Sequence, residues 1–264
     1  MSAGPRALVL NAPGINCNLE TGFALEQAGA MADQVHISQL TSGEVSLDHY
    51  QMLMLSGGFS YGDDIASGRI LGLELRKNLP DELNRFVEAG KAVVGICNGF
   101  QALVESGLLP DGRIDEHREK VTTLVTNKNK KFEDRWSRMV VAPSVSQLIP
   151  ERLEEQVVEL PVAHGEGRFV HNDQNYDLFN WGQVVLQYSD IEGNPTEDYP
   201  ANPNGSPRGV AAICSVHEGT VLGMMPHPER YVTTTQHPNW RRGEGTQPFG
   251  ALLMQGFVNY AKGL

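Results

Sequence analysis

Short continuous apolar runs alternate with helix-periodic segments through the first half of the chain. Ala7–Asn11 reads as a buried strand, and Leu19–Ala28 as a helix that Asn18 would cap and Gly29 would end. Gln34–Leu40 reads as a second strand on the apolar positions Val35, Ile37 and Leu40, and Met52–Ser56 as a third that runs into Gly57-Gly58. Helices follow at Arg69–Asn78 and at Pro80–Ala89, the latter with proline in its first turn and Gly90 after its end. Val93–Ile96 is a fourth strand, again valine- and isoleucine-rich. Strands separated by helices predict a mostly parallel central sheet flanked by helices, with ligands at the carboxyl ends of its strands.

The second half changes pattern. Val121–Thr126, Met139–Ala142, Gln156–Leu160, Val184–Tyr188, Val210–Val216 and Val221–Met225 are short apolar segments joined by turn-rich stretches. They predict an antiparallel extension of the same sheet, so that residues 1–264 form a single α/β domain. Asn202–Pro207 reads as a turn or mobile loop, 233–247 as an irregular polar segment, and Phe249–Ala261 as a closing amphipathic helix.

Composition narrows the class. The apolar fraction is 40% in 264 residues, enough for one full core, and no run approaches a membrane span. The first residues are too short and polar for a signal-peptide core, so a soluble cytoplasmic protein is expected. A formal net charge of −11 argues against nucleic acid as a partner, and the short basic string Lys128–Lys131 reads as a solvated loop. Three widely spaced cysteines, Cys17, Cys97 and Cys214, form no disulfide framework and no zinc-ligand spacing, so no metal is expected.

The chemistry begins at Gly95-Ile96-Cys97-Asn98-Gly99. A strand enters, a helix pattern leaves, and glycines on both sides permit the sharp turn of a nucleophile elbow, here with cysteine. The N-terminus of the following helix favours a thiolate there. A thiol nucleophile needs a base and a group to orient it. Met225-Pro226-His227-Pro228-Glu229 supplies both at another strand end, with prolines fixing the backbone. The Asn98 amide is one expected oxyanion donor, and the loop Ser56–Asp63, with its paired glycines, the source of a second. Cys214 belongs in the core. Cys17, in a loop after the first strand with no helix N-terminus behind it in an elbow, reads as a packed thiol.

The strings Gly57–Asp63, Gly95–Gln101, Pro161–Gly167 and Gly223–Arg230 resemble the class I (triad-type) glutamine amidotransferases. They resemble most the glutaminase components of phosphoribosylformylglycinamidine synthases. The resemblance implies a flavodoxin-like sheet and a glutamyl thioester on Cys97, with His227 relaying protons and Glu229 orienting it. It also implies an oxyanion hole of the Gly58 and Asn98 amides, and a glutamine-binding role for Gln101. His164 would touch either the glutamine site or a partner, or serve the turn it begins. L-glutamine would be the substrate, and ammonia would pass to a separate synthetase subunit that uses ATP and Mg2+, this chain binding no cofactor itself. A small bridging subunit would complete the assembly. A stand-alone cysteine hydrolase of γ-glutamyl or peptide bonds on the same scaffold is the alternative.

Overall fold

A computed structural model describes residues 4–172, 177–216, 218–244 and 247–264. Nine strands form one sheet in the order β2-β1-β3-β4-β11-β10-β9-β6-β7. Its first half is parallel: β1 (Arg6–Asn11) pairs with β2 (Met31–His36) and β3 (Met52–Leu55), β3 with β4 (Ala92–Ile96), and β4 with β11 (Val221–Met224). Every residue of β3, β4 and β11 is buried, as expected where both faces of a parallel sheet are covered. The helices α1 (Asn18–Gln27) and α6 (Phe249–Lys262) pack together, as do α3 (Arg69–Asn78) and α5 (Asn98–Ser106). The chain leaves β1 toward β2 in one direction and β3 toward β4 in the other. Right-handed crossovers therefore place α1 on one face and α3, with α5 packed against it, on the other, and a crevice opens where the direction reverses. The loops after β1, β3, β4 and β11 all converge there.

The remaining strands, β10 (Val210–Cys214), β9 (Val184–Tyr188), β6 (Glu133–Val141) and β7 (Val157–His164), are antiparallel, as the turn-rich pattern predicted. The sheet curls. Although β7 stands five places from β4 in strand order, the Pro161 carbonyl accepts a 2.8 Å hydrogen bond from the His227 amide. The β6–β7 hairpin thus folds back over the crevice. Helix α4 (Pro80–Glu88) begins at proline as expected. Among the described residues no helix is long and apolar enough to cross a membrane.

Several elements differ from the sequence expectation. Helix α1 begins at Asn18 itself, with Cys17 as its N-cap; the Asn18 side chain is drawn instead to Gln34, 3.0 Å away. The second strand ends at His36, whose imidazole caps a short helix, α2 (Ile37–Thr41), together with Gln39. Ile37 and Leu40 are buried on a helical spacing of three, not on strand alternation. Strand β6 starts six residues early, at Glu133 rather than Met139: the hairpin with β7 supplies the ladder that the polar stretch could not advertise. Strand β5 (Thr122–Val125) leaves the main sheet to pair with an unanticipated β8 (Arg168–His171). Asn202–Pro207 is a turn but no loose loop: Asn202, Asn204 and Ser206 are buried, and Asn204 Nδ2 donates to the Gly167 carbonyl at 2.8 Å.

Candidate active site

Close backbone packing builds the elbow. A Cβ on Gly99 would lie 1.9 Å from the Leu55 carbonyl oxygen, and one on Gly95 would lie 2.6 Å from the Gly99 carbonyl oxygen. Only glycine lets α5 begin this close to β3 and β4. Cys97, between them, takes φ 51° and ψ −105°. For a residue with a Cβ this conformation costs of order 1–3 kcal/mol and is characteristic of active sites. The amide of Cys97 donates to Met224 of β11 at 2.7 Å, and its Sγ lies 3.5 Å from the Ala163 carbonyl oxygen.

Asn98 is the first residue of α5, so its amide is one of the N–H groups a helix leaves unbonded. Its side chain does work that sequence reasoning missed. Oδ1 accepts from the Ser60 amide at 3.1 Å, while Nδ2 donates to Asp63 at 3.2 Å and to Gln101 Oε1 at 3.0 Å. The Gly57–Asp63 loop is thereby tied to the elbow. Gly58, at φ +148°, bridges Ile15 through bonds from the Asn16 amide to Gly57 and from the Phe59 amide to Gly14. Neither bond uses the Gly58 N–H. A Cβ on Gly58 would lie 2.7 Å from Ile15 Cα, so the loop after β1 fixes the loop after β3.

His227 and Glu229 are both buried, with Nδ1 and Oε1 2.6 Å apart. A carboxylate acceptor at Nδ1 leaves Nε2 to exchange protons, and Nε2 has no hydrogen-bond partner among the described residues. Burial opposes charge on this imidazole. The Glu229 carboxylate and the neighbouring sulfurs of Cys97 and Cys17 outweigh it and hold the His227 pKa well above its ordinary value.

Cys17 corrects an expectation. The thiol is packed and buried, but a helix N-terminus does follow it, and it belongs to the site. Its Sγ donates to Asn16 Oδ1 at 3.2 Å and receives a 3.0 Å contact from the Arg230 guanidinium, which also binds Glu20 at 2.8 Å. Burial raises its pKa, only partly offset by His227. Donor atoms of Cys17, His227 and Glu229 lie within 4.8 Å of one another, the one such group found among the described residues. A soft divalent ion could be ligated there, but only in competition with the His227–Glu229 bond and with the cationic Arg230.

Two cavities open on Cys97. One, of about 170 Å³, is lined by Asp63, Ser67, Gln101, His164 and Glu166. Gln101 Nε2 donates to the Glu166 carbonyl at 2.7 Å, and the Ser67 amide donates to Glu166 Oε2 at 3.1 Å. His164 is buried; Nδ1 pairs with Asn127 Oδ1 at 3.2 Å, and the ring lies where a Gly167 side chain would be. Burial, with the nearby His227, pushes its pKa down to about 3, so the imidazole is neutral. The structure thus brings His164 both to the turn and to the cavity wall. The other cavity, of about 220 Å³, adds Asn16, Cys17, Asp134, His227 and Arg230. Phe59 and Phe132, half exposed and 6.3 Å apart between ring centroids, border both. A larger cavity of about 410 Å³ beside Phe179 and Arg208 touches none of Cys97, His227 or Glu229. Buried thiol, imidazole and carboxylate form a constellation for acyl transfer.

The family of CobB/CobQ-like glutamine amidotransferase domains matches residues 4–261. Phosphoribosylformylglycinamidine synthase subunit PurQ of Dehalococcoides mccartyi is 39% identical over 235 residues, covering 89% of each chain. Phosphoribosylformylglycinamidine synthase of Drosophila melanogaster is 36% identical over 244 residues, which are 90% of this chain and 18% of that protein. A chain in the structure of PurLQS from Thermotoga maritima superposes with a TM-score of 0.73 at 31% identity, over 97% of this chain and 99% of that one.

Proposed function

The chain belongs to the CobB/CobQ-like glutamine amidotransferases, and from its likeness to the PurQ subunits we propose that it is the glutaminase subunit of a phosphoribosylformylglycinamidine synthase. It releases ammonia from L-glutamine for a separate synthetase subunit, which makes formylglycinamidine ribonucleotide in purine biosynthesis. The whole chain is one glutaminase domain working in the cytoplasm. The observation that carries the chemistry is the buried His227–Glu229 pair, 2.6 Å apart, with His227 on the cavity that also exposes the elbow cysteine.

His227 Nε2 takes the Cys97 proton, and Sγ attacks the side-chain carbonyl carbon of glutamine. The oxygen becomes an oxyanion at the Gly58 and Asn98 amides, a donor set in which each bond is worth roughly 3–4 kcal/mol. The C–N bond then breaks; nitrogen keeps the electron pair and takes the proton from Nε2, giving ammonia and a glutamyl thioester. A water gives a proton to Nε2 and its hydroxide to the thioester carbonyl; the C–S bond breaks, Sγ takes the proton back from Nε2, and glutamate leaves as its new carboxyl loses a proton to solvent. Glu229 holds Nδ1–H throughout and balances the imidazolium. Asp63, Ser67, Gln101 and Glu166 form a polar wall suited to the α-ammonium and α-carboxylate of glutamine, with neutral His164 behind it.

The subunit needs no cofactor of its own, since ATP and Mg2+ serve the synthetase. A small bridging subunit joins the two, a reading that the PurLQS assembly of the Thermotoga relative supports. Glutamate and ammonia should be measured for the chain alone, then with synthetase, its nucleotide substrate and ATP. In Cys97→Ala, glutamine use should be abolished while ammonium salts still drive the synthetase. Loss of the ammonium-driven reaction as well would assign Cys97 a structural role, and full turnover on γ-glutamyl peptides without partners would replace the reading by a stand-alone hydrolase.

A further inference from the structure

The two cavities at Cys97 differ in one respect that the chemistry makes decisive. His227 borders only the second, and its buried Nε2 has no partner among the described residues. When the C–N bond of glutamine breaks, the electron pair stays on nitrogen, which takes its proton from Nε2. Ammonia is therefore released on the imidazole side of the sulfur. At that moment the glutamyl group, bound through its thioester, still fills the first cavity. The water that follows must give its proton to the same Nε2, and so must approach from the same side.

We propose that the second cavity, walled by Asn16, Cys17, Asp134 and Arg230, is the chamber through which ammonia leaves Cys97 and the deacylating water reaches it. This rests on the glutaminase reading and adds a route to it.

The lining suits that traffic. Ammonia offers three N–H donors, and the chamber presents acceptors: Asn16 Oδ1, which takes one bond from the Cys17 thiol at 3.2 Å and has a lone pair to spare, and the exposed Asp134 carboxylate. The Arg230 guanidinium is held by Glu20 at 2.8 Å and lies 3.0 Å from Cys17 Sγ. Burial keeps the Cys17 thiol protonated, so it lines the wall without competing as a nucleophile. Phe59 and Phe132 border both this chamber and the cavity proposed for glutamine.

The test measures product formed per glutamate released, in the complex with synthetase, nucleotide substrate and ATP. Asp134→Phe places a ring at an exposed rim position, and Asn16→Leu removes an acceptor at nearly constant size; together they guard against one variant failing to fold. Either should lower the ratio at least about two-fold, with product falling more than glutamate and KM for glutamine little changed. The rate on added ammonium salt, which bypasses the chamber, should stay at the wild-type level. Glu166→Gln, in the first cavity, should raise KM for glutamine with the ratio intact. A wild-type ratio in both chamber variants, or a ratio lowered by Glu166→Gln instead, overturns the route. A wild-type complex that forms no glutamate from glutamine would overturn the glutaminase reading itself.

Discussion

Gly57 packs against the His227 imidazole, and adding one methyl group there tests the geometry of the proposed base. A Cβ on Gly57 would lie 2.8 Å from His227 Cε1 and 3.1 Å from Cys17 Sγ. Its φ is not positive, so alanine meets no backbone strain; the whole effect comes from these two contacts. Ordinary contact begins at 3.4 Å, so the ring must move by about 0.6 Å. It has little freedom to do so, being buried and held at Nδ1 by Glu229 at 2.6 Å and at its amide by Pro161 at 2.8 Å. Misplacing a reacting group by about 1 Å costs roughly 100-fold. Gly57→Ala should therefore lower kcat for glutamate formation by about 10- to 100-fold. KM for glutamine should hold, because neither Gly57 nor His227 lines the cavity proposed to take glutamine. Overpacking a core site costs roughly 1–3 kcal/mol, which for a domain of this size lowers Tm by about 2–10 °C. Steady-state glutamate formation in the synthetase complex and thermal denaturation of the subunit measure the two effects. A kcat within two-fold of wild type at unchanged Tm would refute the position assigned to the imidazole.

Gly99→Ala should damage folding before chemistry. Its Cβ would meet the Leu55 carbonyl at 1.9 Å, a backbone atom that cannot swing aside, so a loss of about 3 kcal/mol or more is expected in urea unfolding. His164 should make the fold acid-labile. Its pKa is pushed down to about 3 in the folded chain, against about 6.5 when unfolded, so only the unfolded state takes up the proton in between. Its contribution is complete above about pH 6.5 and is lost as pH falls toward 3, by about 1.4 kcal/mol per pH unit. Urea unfolding of His164→Gln at pH 7 and pH 5 should show a shallower acid loss than wild type; an equal slope would mean the ring takes up its proton in the folded state.

The local pattern was enough to locate the elbow at Cys97. A strand, a turn between two glycines and a helix are set by residues within a dozen positions of Cys97, and periodicity reports such short-range structure directly. His227 and Glu229 were legible for the same reason, because the two prolines and the preceding strand Val221–Met224 are local. The parallel half of the sheet followed from alternating strand and helix, and β2 was displaced because Val35 and Ile37 fit strand alternation while Ile37 and Leu40 take a helical spacing.

What the sequence could not contain was the curl of the sheet. It brings Ala163 within 3.5 Å of Cys97 Sγ and the Pro161 carbonyl onto the His227 amide, between segments more than sixty residues apart. That return makes β6 begin at Glu133, sets Phe132 against Phe59, and puts Asp134 at the rim of a chamber. The place of Cys17 was hidden for a related reason. Its neighbour Arg230 lies 213 positions away, and the two meet only because β1 and β11 end on the same side of one sheet. Periodicity carries the elements, since each forms from near neighbours. Only the packed sheet decides which loop ends meet, and so which groups share the cavities at Cys97.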